Sequence, residues 1–134
     1  MAADTQILIT SDKDVVTARQ QGRAMAQQTG FSAGEATLIA TAISELARNI
    51  VSYANQGRVT LQPVHGSNGA SGLTIIASDS GPGITDINLA LRDGYSSSGG
   101  LGLGLPGVRR LMDEFDIVSR VGGGTTVTVT KWLV

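Results

Sequence analysis

Glu45 and Asn49 stand four residues apart in a segment of helical periodicity, so both belong to one side of a helix. They flank a stripe of Ile39, Ile43, Leu46 and Ile50, where a helix meets both core and solvent. A carboxylate in that position can take a proton, and an amide oxygen beside it can ligate Mg2+. A hard cation takes oxygen ligands and keeps several waters, so one protein ligand plus phosphates suffices. Taken alone, the pair also reads as the polar border of an amphipathic helix. A second constellation is Asp79-Ser80-Gly81-Pro82-Gly83-Ile84, an acid ending an apolar strand and followed by alternating glycines. Such a segment brings bare backbone close to a ligand while the carboxylate accepts hydrogen bonds, and the exocyclic amine of a purine suits that acceptor. Its plainer reading is an Asx-type turn stiffened by Gly and Pro. The third is Gly99–Gly107, a glycine-rich run leading into a helix N-terminus, which presents N–H donors and a positive dipole end to phosphate.

Three familiar phosphate-binding readings fail on their context. Gly102, Gly104 and Gly107 form a Gly-x-Gly-x-x-Gly, but Tyr95–Ser98 before it is not the apolar strand that the dinucleotide fingerprint needs. A Walker loop needs a lysine after its glycines, and the only lysines are Lys13 and Lys131. The ordinary protein-kinase fold is excluded because its strand lysine and its His-Arg-Asp and Asp-Phe-Gly pieces are missing.

The elements that must position these groups follow from periodicity and punctuation. A short strand over Gln6–Ile9 leads through Thr10-Ser11-Asp12, a helix cap, into a helix over Asp12–Thr29 that Gly30 stops. Ser32 and Glu35 have capping-box spacing and open a second helix that runs to about Ala54, with Ile39, Ala42, Ile43, Leu46, Ala47 and Ile50 as its buried stripe. Strands follow over Gly57–Val64 and Leu73–Ser78, joined by a polar loop from His65 to Gly72. The stretch from Ser80 to Ser98 is loop-like, with one helical turn near Ile87–Leu91. Pro106 suits a first helical position ahead of Val108–Met112. Ile117–Val121 and Thr125–Val134 form a closing hairpin around Gly122-Gly123-Gly124. Helices and strands are segregated in this order, which predicts an α/β (α+β) two-layer sandwich with a mostly antiparallel sheet packed on helices.

With 134 residues, 41% of them apolar and 16% charged, the chain suits one globular domain over residues 1–134. Only 4% are aromatic, so the core must be aliphatic. Eight of the 18 glycines fall between Gly81 and Gly107, which marks a local need for bare backbone. The absence of cysteine excludes a disulfide framework, zinc-thiolate site or cysteine nucleophile, and suits a reducing cytoplasm. One histidine, His65, cannot build a multi-histidine metal site, and in its polar loop it reads as a surface residue. Ten basic against 11 acidic residues give no basic patch for nucleic acid. No apolar run reaches membrane-spanning length, so a membrane partner is not expected and a cytoplasmic location is.

The combination and order of these pieces resemble the four nucleotide-binding boxes of the gyrase–Hsp90–histidine-kinase–MutL (GHKL) ATPase superfamily. The boxes are Glu45–Asn49, Asp79–Gly83, Gly99–Gly107 and Gly124-Thr125-Thr126, and the resemblance spans about Glu35 to Trp132. It implies the Bergerat fold. The stretches Ala42–Asn49 and Gly99–Phe115 are further similar to the RsbT-type serine kinases, switch kinases of the bacterial stressosome pathway. That resemblance implies ATP and Mg2+ as cofactors, with Asn49 as the Mg2+ ligand and Glu45 as general base on the attacking hydroxyl. Asp79 would read the adenine amine, Gly81 and Gly83 would let the base approach, and Thr125 would sit near that carboxylate. Gly100, Leu101, Gly102, Leu103 and Gly104 would wrap the phosphates, and Tyr95–Ser98 would form a short lid. The implied partners are STAS-domain antagonist and scaffold proteins (RsbS- and RsbR-like), the substrates, and a PP2C-type phosphatase (RsbU-like) activated on release. Arg92 is the candidate cation for the γ-phosphate. Arg19 and Arg23 form either a docking face or a solvated helix face. Two other functions stay open: an anti-sigma factor kinase that sequesters a sigma factor, and an adapter gated by ATP or ADP without transfer. The carboxylate of Glu45 disfavours the adapter, which has no chemical need for it.

Overall fold

Ser32 caps the longest helix as its spacing with Glu35 predicts: Ser32 Oγ accepts from the Glu35 N–H at 3.1 Å, and Glu35 reaches back to the Ser32 N–H. In the computed structural model, which describes residues 4–84 and 104–133, that helix is α2 (Ala33–Ala54). It follows β1 (Thr5–Ile9) and α1 (Asp12–Thr29). Ser11 stands at the N-cap of α1 without a side-chain bond. Asp14 in the first turn reaches back past it, its carboxylate accepting from the Thr10 N–H and Oγ1, both at 2.9 Å. The backbone bond from Thr10, and then its hydroxyl, hold the Asp14 carboxyl below its ordinary value.

The chain continues with β2 (Gly57–His65), β3 (Ser71–Asp79), α3 (Gly104–Leu111), β4 (Glu114–Arg120) and β5 (Gly124–Trp132). The five strands form one sheet in the order β1-β2-β3-β5-β4, and every pairing is antiparallel. Strand boundaries exceed the sequence expectation by one or two residues at most ends of β2 and β3, because Ser71–Gly72 still pair with His65 and Val64. The helix after the glycine run begins at Gly104, two residues before Pro106, so proline stands inside the first turn and not at its first residue. Both positions are tolerated, because the first N–H groups of a helix have no intrahelical partner. The helical turn expected near Ile87–Leu91 lies outside the described residues.

Alternation along the strands sends Ile7, Ile9, Val59, Leu61, Leu73, Ile75, Ala77, Val127 and Val129 to one face, where the helices cover them. The stripe of α2 meets them with Ile39, Ala42, Ile43, Leu46, Ala47 and Ile50, all buried. Gly22 lets α1 come close, since a Cβ there would strike the Ile43 side chain. Helix α3 adds Leu105 and Val108 to the same core, and Met112 follows just after its end. The middle of α2, from Ala42 to Ala47, is therefore buried at every position. No described helix is long and apolar enough to cross a membrane.

Candidate functional site

At one end of the sheet, four strands bring a row of residues to the helix-facing side. Gly57 pairs with Asp79, Ser78 with Thr126, and Ser119 with Thr125. Alternation puts Asp79 on the face of Leu73, Ile75 and Ala77, Thr125 on that of Val127 and Val129, and Ser119 on that of Phe115 and Ile117. Gly57 supplies the row with no side chain, and a Cβ there would crowd Ile50 and the Asp79 Cβ.

Hydrogen bonds fix that row. Asp79 Oδ1 accepts from the Gly81 N–H at 2.9 Å and from the Thr125 N–H at 3.3 Å. Oδ2 has no partner among the described residues. The predicted Asx turn is therefore real and uses one oxygen, and the other remains as an acceptor. The glycines that follow answer first to the protein itself. A Cβ on Gly81 would come within 2.6 Å of the Ala54 Cβ, at the end of α2. Gly83 has φ +79 and its Cα lies against the Arg120 carbonyl. Gly124 has φ +90 and packs against the Asp79 carbonyl in the same way, so an L side chain at either position meets both strain and backbone. The Gly122 N–H donates to the Pro82 carbonyl at 2.8 Å, and the Ile84 N–H donates to Ser119 Oγ at 2.7 Å.

The second group lies along α2. Glu45 is 4% exposed, more enclosed than the helix border its periodicity suggests, on a helix that packs against both α1 and α3. Its Oε1 accepts from Arg48 Nη1 at 2.9 Å, an i, i+3 ion pair with the arginine side chain one-third exposed. Asn49 is half-buried one helical turn beyond Glu45. From Glu45 to Ala54, which touches Gly81, the helix rises about 13 Å. The carboxylate and the Asp79 row thus sit at different depths along one helix.

Gly104 is buried at the start of α3 with φ +53. Gly100, Leu101, Gly102 and Leu103 lie outside the described residues, as do Arg92 and Tyr95–Ser98. Arg19 and Arg23 are exposed on α1. His65 is exposed, with Nδ1 3.4 Å from Ser71 Oγ, as a surface histidine would be. Ser119 and Arg48 are not among the sequence candidates. Their signals were present: Ser119 and Thr125 are symmetric about Gly122, and Arg48 is three residues from Glu45.

The donor set suits a purine nucleotide with a hard cation. Asp79 Oδ2 offers an amine an acceptor, and Asn49 carries an amide oxygen of the kind Mg2+ takes. Among the described residues no group of three or more His, Asp or Glu could hold a metal ion, so phosphate oxygens would complete its shell.

The sequence profile of the histidine kinase-like ATPase domain matches residues 9–131. The chain is 51% identical over 127 residues to the serine/threonine-protein kinase RsbT of Bacillus subtilis, covering 95% of each. It is 28% identical to an anti-sigma F factor of a Thermoanaerobacter species, over 87% of this chain and 83% of that one. Among solved structures, the RsbU and RsbW domains of a Mycobacterium tuberculosis protein superpose with a TM-score of 0.64 at 22% identity. That match covers 97% of this chain but only 32% of the longer one. The mycobacterial sensor histidine kinase MprB superposes with a TM-score of 0.53 at 15% identity, covering 97% of both. These two likenesses concern the fold, while the profile match over nearly the whole length settles descent: the chain belongs to the histidine kinase-like ATPase domain family.

Proposed function

We propose that the chain is an ATP-dependent protein serine/threonine kinase whose substrate hydroxyl belongs to a STAS-domain antagonist or scaffold protein. Its release from that protein frees it to activate a PP2C-type phosphatase, and it works in the cytoplasm. The observation that carries the reading is the buried carboxylate of Glu45, one turn from Asn49 on the helix whose end abuts the Asp79 turn. A nucleotide-gated adapter has no use for a buried acid at that place, and burying one is costly. The 51% identity to a serine/threonine-protein kinase, against 28% to an anti-sigma factor, favours the kinase over the sigma-sequestering alternative.

In this mechanism Asp79 and Thr125 hold the base, Gly100 to Gly104 cradle the phosphates, and Asn49 is the Mg2+ ligand. Mg2+, when bound, neutralises charge on the phosphate oxygens. Glu45 accepts the proton of the incoming serine or threonine hydroxyl. As the oxygen–phosphorus bond to the γ-phosphoryl group forms, the bond to the β-phosphate oxygen breaks, and ADP leaves. Such transfer depends on positioning and charge stabilisation more than on covalent chemistry. Arg48 fixes one oxygen of Glu45 by its ion pair, which leaves the other for the hydroxyl.

The test is incubation of the purified chain with labelled Mg-ATP and a STAS-domain protein, beside Glu45→Gln, with the phosphate mapped by mass spectrometry. Phosphoserine or phosphothreonine on the partner, lost in the variant, is expected. Tight nucleotide binding with no transfer from the unaltered chain would return the adapter reading. A sigma factor as the main protein retained from extract would favour the anti-sigma alternative.

A further inference from the structure

We propose that Ser119 is a positioning residue for the base end of this nucleotide site, and that it sets the Thr125 hydroxyl as an acceptor beside Asp79, favouring a 6-amino over a 6-oxo purine. The inference rests on the reading of Asp79 and Thr125 as the base-binding pair, and goes beyond it to a residue outside the nucleotide-binding boxes.

Ser119 Oγ accepts from the Ile84 N–H at 2.7 Å. It donates its single proton to the Gly124 carbonyl at 3.3 Å. It also lies 2.8 Å from Thr125 Oγ1. The Gly124 carbonyl can only accept, so all three contacts are satisfied together when the serine proton goes to it and Thr125 donates in that last bond. The threonine hydroxyl therefore donates toward β4, and its oxygen remains an acceptor toward anything else. Asp79 Oδ2 is likewise an acceptor without a partner among the described residues. Two neighbouring acceptors match the two N–H bonds of an exocyclic amine and oppose the carbonyl oxygen of a 6-oxo purine. Without Ser119 the Thr125 hydroxyl turns freely and can donate, so the penalty on a carbonyl falls.

Ser119 also joins two segments that must stay together for Asp79 to hold its place. The Ile84 N–H ends the Asp79–Ile84 turn on Ser119, while Gly122, across the hairpin, binds the Pro82 carbonyl. Thr125, the other partner of Ser119, gives its N–H to Asp79. One hydroxyl thus touches both the end of the turn and the strand that holds the carboxylate.

The test is calorimetric titration of the full chain with Mg-ATP and Mg-GTP, for the unaltered protein, Ser119→Ala, Ser119→Cys, Ser119→Thr and Asp79→Asn, with a melting curve for each. Ser119→Ala is expected to weaken ATP about tenfold, as for a lost hydrogen bond that fixes a partly buried group. GTP should weaken less, so the preference for ATP narrows. Ser119→Thr keeps the hydroxyl and should restore both affinity and preference. Ser119→Cys keeps the shape with a weak donor, and should follow Ser119→Ala if that variant fails to fold. Equal weakening of ATP and GTP would reduce Ser119 to a structural brace and overturn the proposal. So would an ATP affinity and preference within twofold of the unaltered protein while Asp79→Asn loses ATP. If Asp79→Asn itself binds ATP normally, the base-site reading fails and takes this inference with it.

Discussion

Replacing Asp79 by Asn separates the two duties of one side chain, because its two oxygens are used differently. Oδ1 accepts the Gly81 and Thr125 N–H groups at 2.9 and 3.3 Å. An asparagine can turn its amide oxygen to that place and keep both bonds, now neutral instead of charge-assisted. The cost to folding is then about 1 kcal/mol. For a chain of this length that lowers the melting temperature by about 3–5 °C. The amide NH2 must then take the place of Oδ2. There a donor would face the N–H donors of an adenine amine. Losing a hydrogen bond to a charged acceptor costs about 1.5–3 kcal/mol, and leaving a donor unmatched adds about 1 kcal/mol or more. The sum, about 2.5–4 kcal/mol, is a loss of roughly 60- to 1,000-fold in Kd for ATP.

Isothermal titration with Mg-ATP measures that loss directly, and a thermal melt of the same sample reports the fold. Asp79→Ala is the informative companion. It orphans both backbone donors as well as removing the ligand's acceptor, so its melting temperature should fall clearly further than that of Asp79→Asn. An Asp79→Asn protein that binds ATP within twofold of the unaltered chain would refute the reasoning. The carboxylate would then be an Asx-turn acceptor and nothing more.

Four further outcomes follow from the same coordinates. Glu45→Gln, which keeps the shape and an oxygen for Arg48, should leave the ATP Kd nearly unchanged and lower the transfer rate by about 10²–10⁴-fold, measured as phosphate incorporated into a STAS-domain partner. Gly124→Ala places a Cβ against the Asp79 carbonyl at φ +90 and should destabilise the fold by about 2–4 kcal/mol in urea titration, with ATP binding lost alongside. Ser32→Ala breaks the capping box of α2 and should cost about 1 kcal/mol, read as a lower urea midpoint at unchanged slope. Asp14 has its folded carboxyl held below 3.8, so its contribution is present above that ordinary value and is lost as pH falls through the folded one. Asp14→Asn should therefore melt earlier than the unaltered chain at pH 7, with the difference vanishing in acid.

What the sequence made legible is what local chemistry decides. Ser32 and Glu35 signal a capping box wherever they occur at that spacing, and the apolar stripe of α2 follows from a 3.6-residue period. Glu45 shows the limit of that period. Its angle places it on the helix flank, yet it is buried, in a helix packed against α1 and against α3, which begins 50 residues after α2 ends. No local pattern reports such packing. Gly81 and Gly83 were legible as a need for bare backbone but not as to what approaches it. The approaching groups within the chain are Ala54 from α2 and Arg120 from β4, both distant in sequence. Pro106 marks the start of α3 only to within two residues, since neither Gly104 nor Leu105 carries a capping side chain to show where the helix begins.

The arrangement also divides the site between two kinds of support, and that division determines how variants should read. Asp79, Thr125 and Ser119 stand on adjacent strands and are joined to one another and to the Gly81–Ile84 turn by hydrogen bonds. A perturbation there loosens a ground-state contact with the base, so it belongs in Kd. Glu45 stands in the buried middle of α2, with one carboxylate oxygen held by Arg48 one turn on. Its duty is to a proton that moves only as the phosphoryl group transfers, so its loss belongs in the rate. The two supports meet where Gly81 lies against Ala54, near enough that any side chain at 81 would push the end of α2 away from the turn. Gly81→Ala is therefore the substitution that should weaken nucleotide binding and slow transfer together, because it displaces the carboxylate of Asp79 relative to the helix that carries Glu45 and Asn49. A Gly81→Ala chain with weaker binding but normal transfer at saturating ATP would show that the two halves of the site are positioned independently.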